Sequence, residues 1–240
     1  MTTSIIPGIH LTNVYHILID TYGELHNDPD FDPLGGLIGT ILSQHTSDIN
    51  SGRAYRQLVD TYPTWEEVRD APTYKVADAI RSGGLANIKS IRIQDVLHTL
   101  MEKQQEQGGD KSLGDYLSDE LDKLSSEDGW KYLQQLPGVG PKTAACVMLF
   151  NLGRNIMPID THVWRTSKRL GLIGPSVNAN QAHTVFAKIA PPAWVYMLHV
   201  GLIRHGRQIC HAQKPKCNQC PLYRECAYTG SVNPQETGIS

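Results

Sequence analysis

An all-α protein is what this sequence predicts, on three observations. Apolar residues recur at three-to-four spacing through most of the 240-residue chain. Alternating period-two runs, the mark of half-buried strands, are scarce. Glycine and proline cluster between the periodic segments, where helix junctions are expected.

In chain order, the helical segments are VYHILIDTY, LGGLIGTILSQ, AYRQLVDTY, ADAIRSGG, IQDVLHTLMEKQ, WKYLQQL, TAACVMLFNLG and WVYMLHVGLIRHG. Each places apolar side chains along one stripe of a 3.6-residue helix. Junctions are expected at Pro33 to Gly36, Gly83-Gly84, Gly108-Gly109, Pro137 to Pro141, Gly174-Pro175 and Pro191-Pro192. The acidic stretch from Glu102 to Asp128 reads as a solvated connection, and the last ten residues as a loose tail. Asp28, Asp30 and Asp32 imitate the start of a calcium loop. Gly39 falls where such a loop requires a bidentate glutamate, so this segment is expected to be a turn. No segment approaches the length of a membrane span, and the start lacks the basic and apolar parts of an export signal. An intracellular chain with no membrane partner is the expectation.

The net charge of −2 conceals a division. Residues 131–230 carry 12 Lys/Arg and only two acids, Asp160 and Glu225, whereas residues 1–130 carry 10 Lys/Arg and 21 Asp/Glu. A basic face built from one half of the chain suits a polyanion. Four of the five cysteines, Cys210, Cys217, Cys220 and Cys226, follow the spacing C-x6-C-x2-C-x5-C. In a reducing compartment four clustered thiols read as metal ligands, for structural zinc or an iron–sulfur cluster alike. Cys146, inside AACVMLF, reads as a small buried hydrophobe.

The segment SSEDGWKYLQQLPGVGPKTAACVMLF carries the most specific signal. Ser125 with Asp128 caps a short helix running to Leu136, Pro137-Gly138-Val139-Gly140 breaks it, and Pro141 suits the first turn of the next. The plainer reading is a simple αα-turn; two short helices joined by G-x-G also read as a helix-hairpin-helix. Its backbone N–H groups at Gly138, Val139, Gly140 and Thr143 are placed to hold a DNA phosphate, which carries no sequence information.

LPGVGPKTA, then PIDTHVWR, then the cysteine spacing, resembles the endonuclease III family of the helix-hairpin-helix DNA glycosylases. The intervals match as well: 18 residues from Lys142 to Asp160 and 50 from Asp160 to Cys210. The resemblance runs from about Leu37 to Tyr228. It implies a two-lobe all-α fold. A six-helix barrel lobe covers 26–154 and includes the hairpin at about 127–150; a cluster lobe covers 1–25 and 155–240, with its cluster loop at 210–226.

The resemblance further implies a monomeric base-excision-repair enzyme that flips a damaged base from duplex DNA and cuts its glycosidic bond. Asp160 matches the catalytic aspartate, although it also reads as a helix N-cap. Lys142 matches the nucleophilic lysine of the bifunctional enzymes, which also cut the strand as lyases; the plainer reading is an exposed lysine touching phosphate. Burial and the positive end of its helix are expected to lower its pKa. Leu85, in Ser82 to Asn87, matches the wedge residue. The family's gap-filling glutamine falls on His45, with Gln44 one residue earlier, and His45 is the preferred candidate. His162 is expected at the base pocket, or else as a packed or capping histidine. Lys214 and Lys216 lie on a basic loop expected against phosphates, and the four cysteines are expected to hold a [4Fe–4S] cluster. Damaged, oxidised pyrimidines are the expected substrate. Alternatives are mismatched thymine or uracil and alkylated purines, released with or without lyase action, or a DNA-binding protein without catalysis.

Overall fold

A computed structural model describes residues 7–228. The described residues contain twelve α-helices joined by turns, with no strand among them. The chain divides into two compact units, one from Asp28 to Arg154 and one formed by the chain up to Asn27 and from Asn155 onward.

The unit from Asp28 to Arg154 is organised on α2 (Pro33–Ser43). Leu34, Leu37, Ile38, Ile41 and Leu42 are fully buried on it, so this helix is apolar nearly all round and sits among neighbours on several sides. It packs against α3 (Asp48–Thr61), α6 (Ala86–Glu106), α7 (Leu113–Asp122) and α9 (Pro141–Cys146). Each such Leu or Ile contributes roughly 2 kcal/mol by leaving water. Truncating Leu37 to alanine would cost a further cavity term, about 2–5 kcal/mol in all.

Pro33 to Gly36, expected as a junction, is instead the first turn of α2. Pro33 takes the position where no N–H is needed, and Asp32 caps the helix by accepting from the Gly35 N–H at 2.9 Å. Asp30 accepts from the Asp32 N–H and the Asn151 side chain, so the aspartate run is a turn and a cap.

Two short helices, α4 (Trp65–Asp70) and α5 (Thr73–Ala79), pack on α6. The buried Gln94 of α6 donates to the carbonyls of Val68, Arg69 and Ala71, satisfying the end of α4. The acidic stretch from Glu102 to Asp128 is more than a solvated connection. It contains α7, whose Leu113, Tyr116, Leu117 and Leu121 are buried against the core while its acids face outward. The amphipathic spacing is brief, and the charge around it masked it. Arg154 closes α7 by donating to the carbonyls of Leu121 and Leu124.

In the other unit, α1 (Pro7–Tyr22) packs on α12 (Val195–Gln208) through Leu11, Val14 and Leu18, spaced for one face. The next helices, α10 (Thr161–Leu170) and α11 (Ala179–Ile189), complete the core, α10 along α12 and α11 against α1. A full capping box at Asn178 and Gln181 starts α11. His10 of α1 is buried and bridges the carbonyl of Leu170 at 2.8 Å and the carboxylate of Glu225 at 3.0 Å. It thereby pins the last turn of α10 to the cysteine segment. The expected tail lies outside the described residues.

Candidate nucleic-acid and cluster sites

The hairpin is built as its residues require. Its first helix, α8 (Ser126–Leu133), begins at Ser125, whose hydroxyl accepts from the Asp128 N–H at 3.1 Å. It ends three residues before Leu136, the remaining residues forming tight turns. Gly138 has φ of 69°, a left-handed conformation that favours glycine, and a Cβ there would also press on the flexible Arg92 side chain, 2.6 Å from Nε. Gly140 is different. Its φ of −89° suits any residue, and a Cβ would meet nothing within 4 Å. Leu136 and Val139 are buried anchors, and Trp130 Nε1 donates to the Pro141 carbonyl at 2.9 Å, locking the two helices together.

Lys142 is exposed in the first turn of α9, so the expected burial of its amine is not provided within this unit. Thr143 is buried, and its hydroxyl accepts from Gln44 Nε2 at 3.4 Å. Gln44 Oε1 also accepts from Arg92 Nη1 at 2.7 Å. Gln44 is therefore tied to the hairpin and to α6, while the next residue, His45, is exposed with a left-handed φ of 55°. Leu85 is likewise left-handed, at 50°, and its side chain is 51% exposed.

In the other unit, Asp160 starts α10 as its N-cap, Oδ1 accepting from the Val163 N–H at 2.7 Å. One carboxylate oxygen is thus occupied by the backbone. His162 packs over Gly206, where a Cβ would approach its own Cβ to 2.8 Å, and Nδ1 accepts from Arg165 Nη2 at 3.1 Å. Arg165 also donates to the carbonyls of Gly206 and Cys210. The helix that carries Asp160 is thereby tied to the cysteine segment.

Cys210, Cys217, Cys220 and Cys226 line one cavity, together with Arg169, His205 and apolar neighbours. Burial pushes the Cys220 thiol up to about 12, and Cys217 and Cys226 are raised by the same cause. Arg169 donates to Cys210 Sγ at 3.3 Å and to the carbonyls of His211 and Ala212. His205, whose burial lowers its pKa to about 4, stands between the Tyr22 hydroxyl and Cys220 Sγ. Among the described residues, no three His, Cys, Asp or Glu side chains surround a single ion position. Lys214 and Lys216 are both exposed on the loop between the first two cysteines, Lys214 at a left-handed φ of 49°.

Sequence reasoning passed over Lys89, Arg92, Arg165, Arg169 and His205. One signal was present: Lys89 occupies the same stripe as Ile93, Val96, Leu97 and Leu100, a core position for a charged residue.

The family model for the HhH-GPD superfamily base excision DNA repair proteins matches residues 38–192, which include the hairpin, Lys142 and Asp160. The chain belongs to the endonuclease III family of that superfamily. Endonuclease III of Rickettsia prowazekii is 34% identical over 80% of this chain and 82% of its own. That of Thermotoga maritima is 30% identical over 84% and 86%. A provisionally named DNA glycosylase of Arabidopsis thaliana is 34% identical over 79% of this chain, which spans only 64% of that relative's length. Among solved structures, a trapped endonuclease III–DNA covalent intermediate superposes with a TM-score of 0.74 at 27% identity, over 93% of this chain and 97% of that one. A thermostable thymine-DNA glycosylase shares the fold, with a TM-score of 0.70 at 21% identity. No helix among the described residues is long and apolar enough to cross a membrane.

Proposed function

We propose that this endonuclease III family member is a bifunctional DNA glycosylase that removes oxidised pyrimidines from duplex DNA and then cuts the strand as a lyase. The observation that carries the reading is the pairing of Gly140 with Lys142. Gly140 leaves open space at the start of α9 that a phosphate could approach closely, and an exposed amine lies two residues on. Backbone N–H groups at the start of α9 suit a phosphate. His45 and Leu85 fit the roles of gap filler and wedge, being exposed at the tips of strained turns.

In the reaction, the Lys142 amine, freed of a proton, attacks the sugar C1′. The C1′–N bond breaks and the base leaves with its electron pair, taking up a proton. Positive charge develops on the sugar, and the Asp160 carboxylate, held by the Val163 N–H, stabilises it. The bound nitrogen gives up one proton, and its lone pair then breaks the C1′–O4′ bond; O4′ takes up a proton and a protonated Schiff base is left. Removal of a C2′ proton then expels the 3′ phosphate by β-elimination.

The donor set of the second site fits a [4Fe–4S] cluster held by Cys210, Cys217, Cys220 and Cys226. A zinc ion needs four sulfurs at about 2.3 Å from one point. The four thiols line one cavity, and it is the family resemblance of their spacing that favours the cluster over zinc. Bound there, such a cluster would tie the loop that carries the exposed Lys214 and Lys216, residues suited to phosphate contact.

Borohydride trapping tests the reading, on duplexes carrying thymine glycol, 5-hydroxycytosine, uracil opposite guanine, an alkylated purine or an abasic site. Adducts with the oxidised pyrimidines that vanish in Lys142→Gln are expected. Base release without trapping would make the enzyme monofunctional and give Lys142 another role.

A further inference from the structure

Lys89 is a buried cation between two loops that the proposed chemistry uses. Its side chain lies on the core face of α6 at 2% exposure, and burial lowers its pKa. Its Nζ donates to the Leu42 carbonyl at 2.7 Å and to the Gly83 carbonyl at 2.8 Å. Leu42 lies in the last turn of α2, three residues before His45; Gly83 lies two residues before Leu85. Both tips bear non-glycine residues in left-handed backbone, a conformation that persists only where its surroundings over-determine it. One side chain thus fixes the roots of both turns. Arg92, one helical turn further along α6, supports the first turn by holding Gln44.

A lysine placed here solely for stability would be a poor choice, because an ammonium loses its hydration on burial and two carbonyls only partly replace it. What it supplies is a fixed spacing between two carbonyls that are 41 residues apart in the chain. We infer that Lys89 is a positioning residue that couples the His45 and Leu85 turns, so that both enter the duplex as one rigid pair when a base is extruded. The inference rests on the glycosylase reading for its purpose. Filling the gap from both sides at once is what keeps an extruded base from returning to the stack.

Lys89→Met keeps the length and apolar stem but removes both bonds. Its effect is expected to depend on how firmly the lesion is paired. Single-turnover base release from a fully paired lesion should fall roughly tenfold or more, as misplacement of this kind does. Release of the same lesion from a mismatch or single strand, where extrusion is already cheap, should change little. Fluorescence of 2-aminopurine placed opposite the lesion reports insertion without chemistry, and its rise on binding should be lost on the paired duplex. Equal losses on all substrates, or no loss on any, would overturn the inference. If Lys89→Met fails to fold, Lys89→Arg keeps the charge and the donors at altered reach, and the same contrast between paired and unpaired substrates decides. Wild-type protein that releases no base yet still raises the 2-aminopurine signal would sink the catalytic reading alone, and the signal in the Lys89 variant would then judge the coupling. Wild-type protein with neither response would remove both.

Discussion

Asp160→Asn separates two roles that the structure gives to one side chain. Oδ1 accepts from the Val163 N–H at 2.7 Å as the N-cap of α10, and the carboxylate charge is what the proposed chemistry uses. Asparagine caps as well as aspartate, because the carbonyl oxygen of its amide accepts the same bond. The change removes the negative charge near a helix N-terminus, worth about 0.3–1 kcal/mol. Unfolding free energy in urea should therefore fall by no more than about 1 kcal/mol. Base release in a single turnover should fall far more, about 10²–10³-fold, as when one preorganised group facing developing charge is removed. Asp160→Ala should lose the same activity and, in addition, about 1 kcal/mol of cap stability. Filter binding to lesion duplexes should be little altered in either. An Asn variant with near-normal base release, or one whose activity loss merely follows its unfolding, would refute the assignment and leave Asp160 as a cap.

Other consequences follow from the same structure. Gly138→Ala puts a Cβ at a left-handed φ of 69° and should cost about 1–2 kcal/mol while weakening DNA affinity; unaltered denaturation and binding would contradict the backbone requirement. Purified protein should be brown, with broad absorbance near ~400 nm and about four irons per chain. Cys220→Ser should bleach it, whereas a colourless zinc protein would replace the cluster. Burial holds His183 neutral in the fold, its pKa lowered to about 4 from an ordinary 6.5. The unfolded state then takes up the proton first as pH falls. This contribution is present in full above pH ~6.5 and is lost progressively toward pH ~4, up to roughly 3 kcal/mol. Urea unfolding of His183→Gln, compared with wild type at pH 7 and pH 5, should show a smaller acid loss in the variant.

Much of this protein is local physics, and that part is legible from residue order. Helical periodicity, the Ser125 cap, Pro141 at a helix start and the G-x-G break between them depend on neighbours within a few residues. The hairpin, the cap at Asp160 and the cysteine spacing were therefore all readable. So was the family, because three short motifs stand in the right order at the right intervals. Local patterns misled where tertiary contacts compete with them: the Pro33 to Gly36 run is a helix start because Asp32 caps it and α2 is buried, and α7 is core despite its acids. Only the folded chain decided the partners of single side chains. Nothing in the sequence ties Gln44 to Arg92 and Thr143, or sends the Lys89 ammonium to two carbonyls 41 residues apart. Those contacts join segments distant along the chain, and their geometry is fixed by how α2, α6 and α9 pack, a property of the whole unit rather than of any stretch within it.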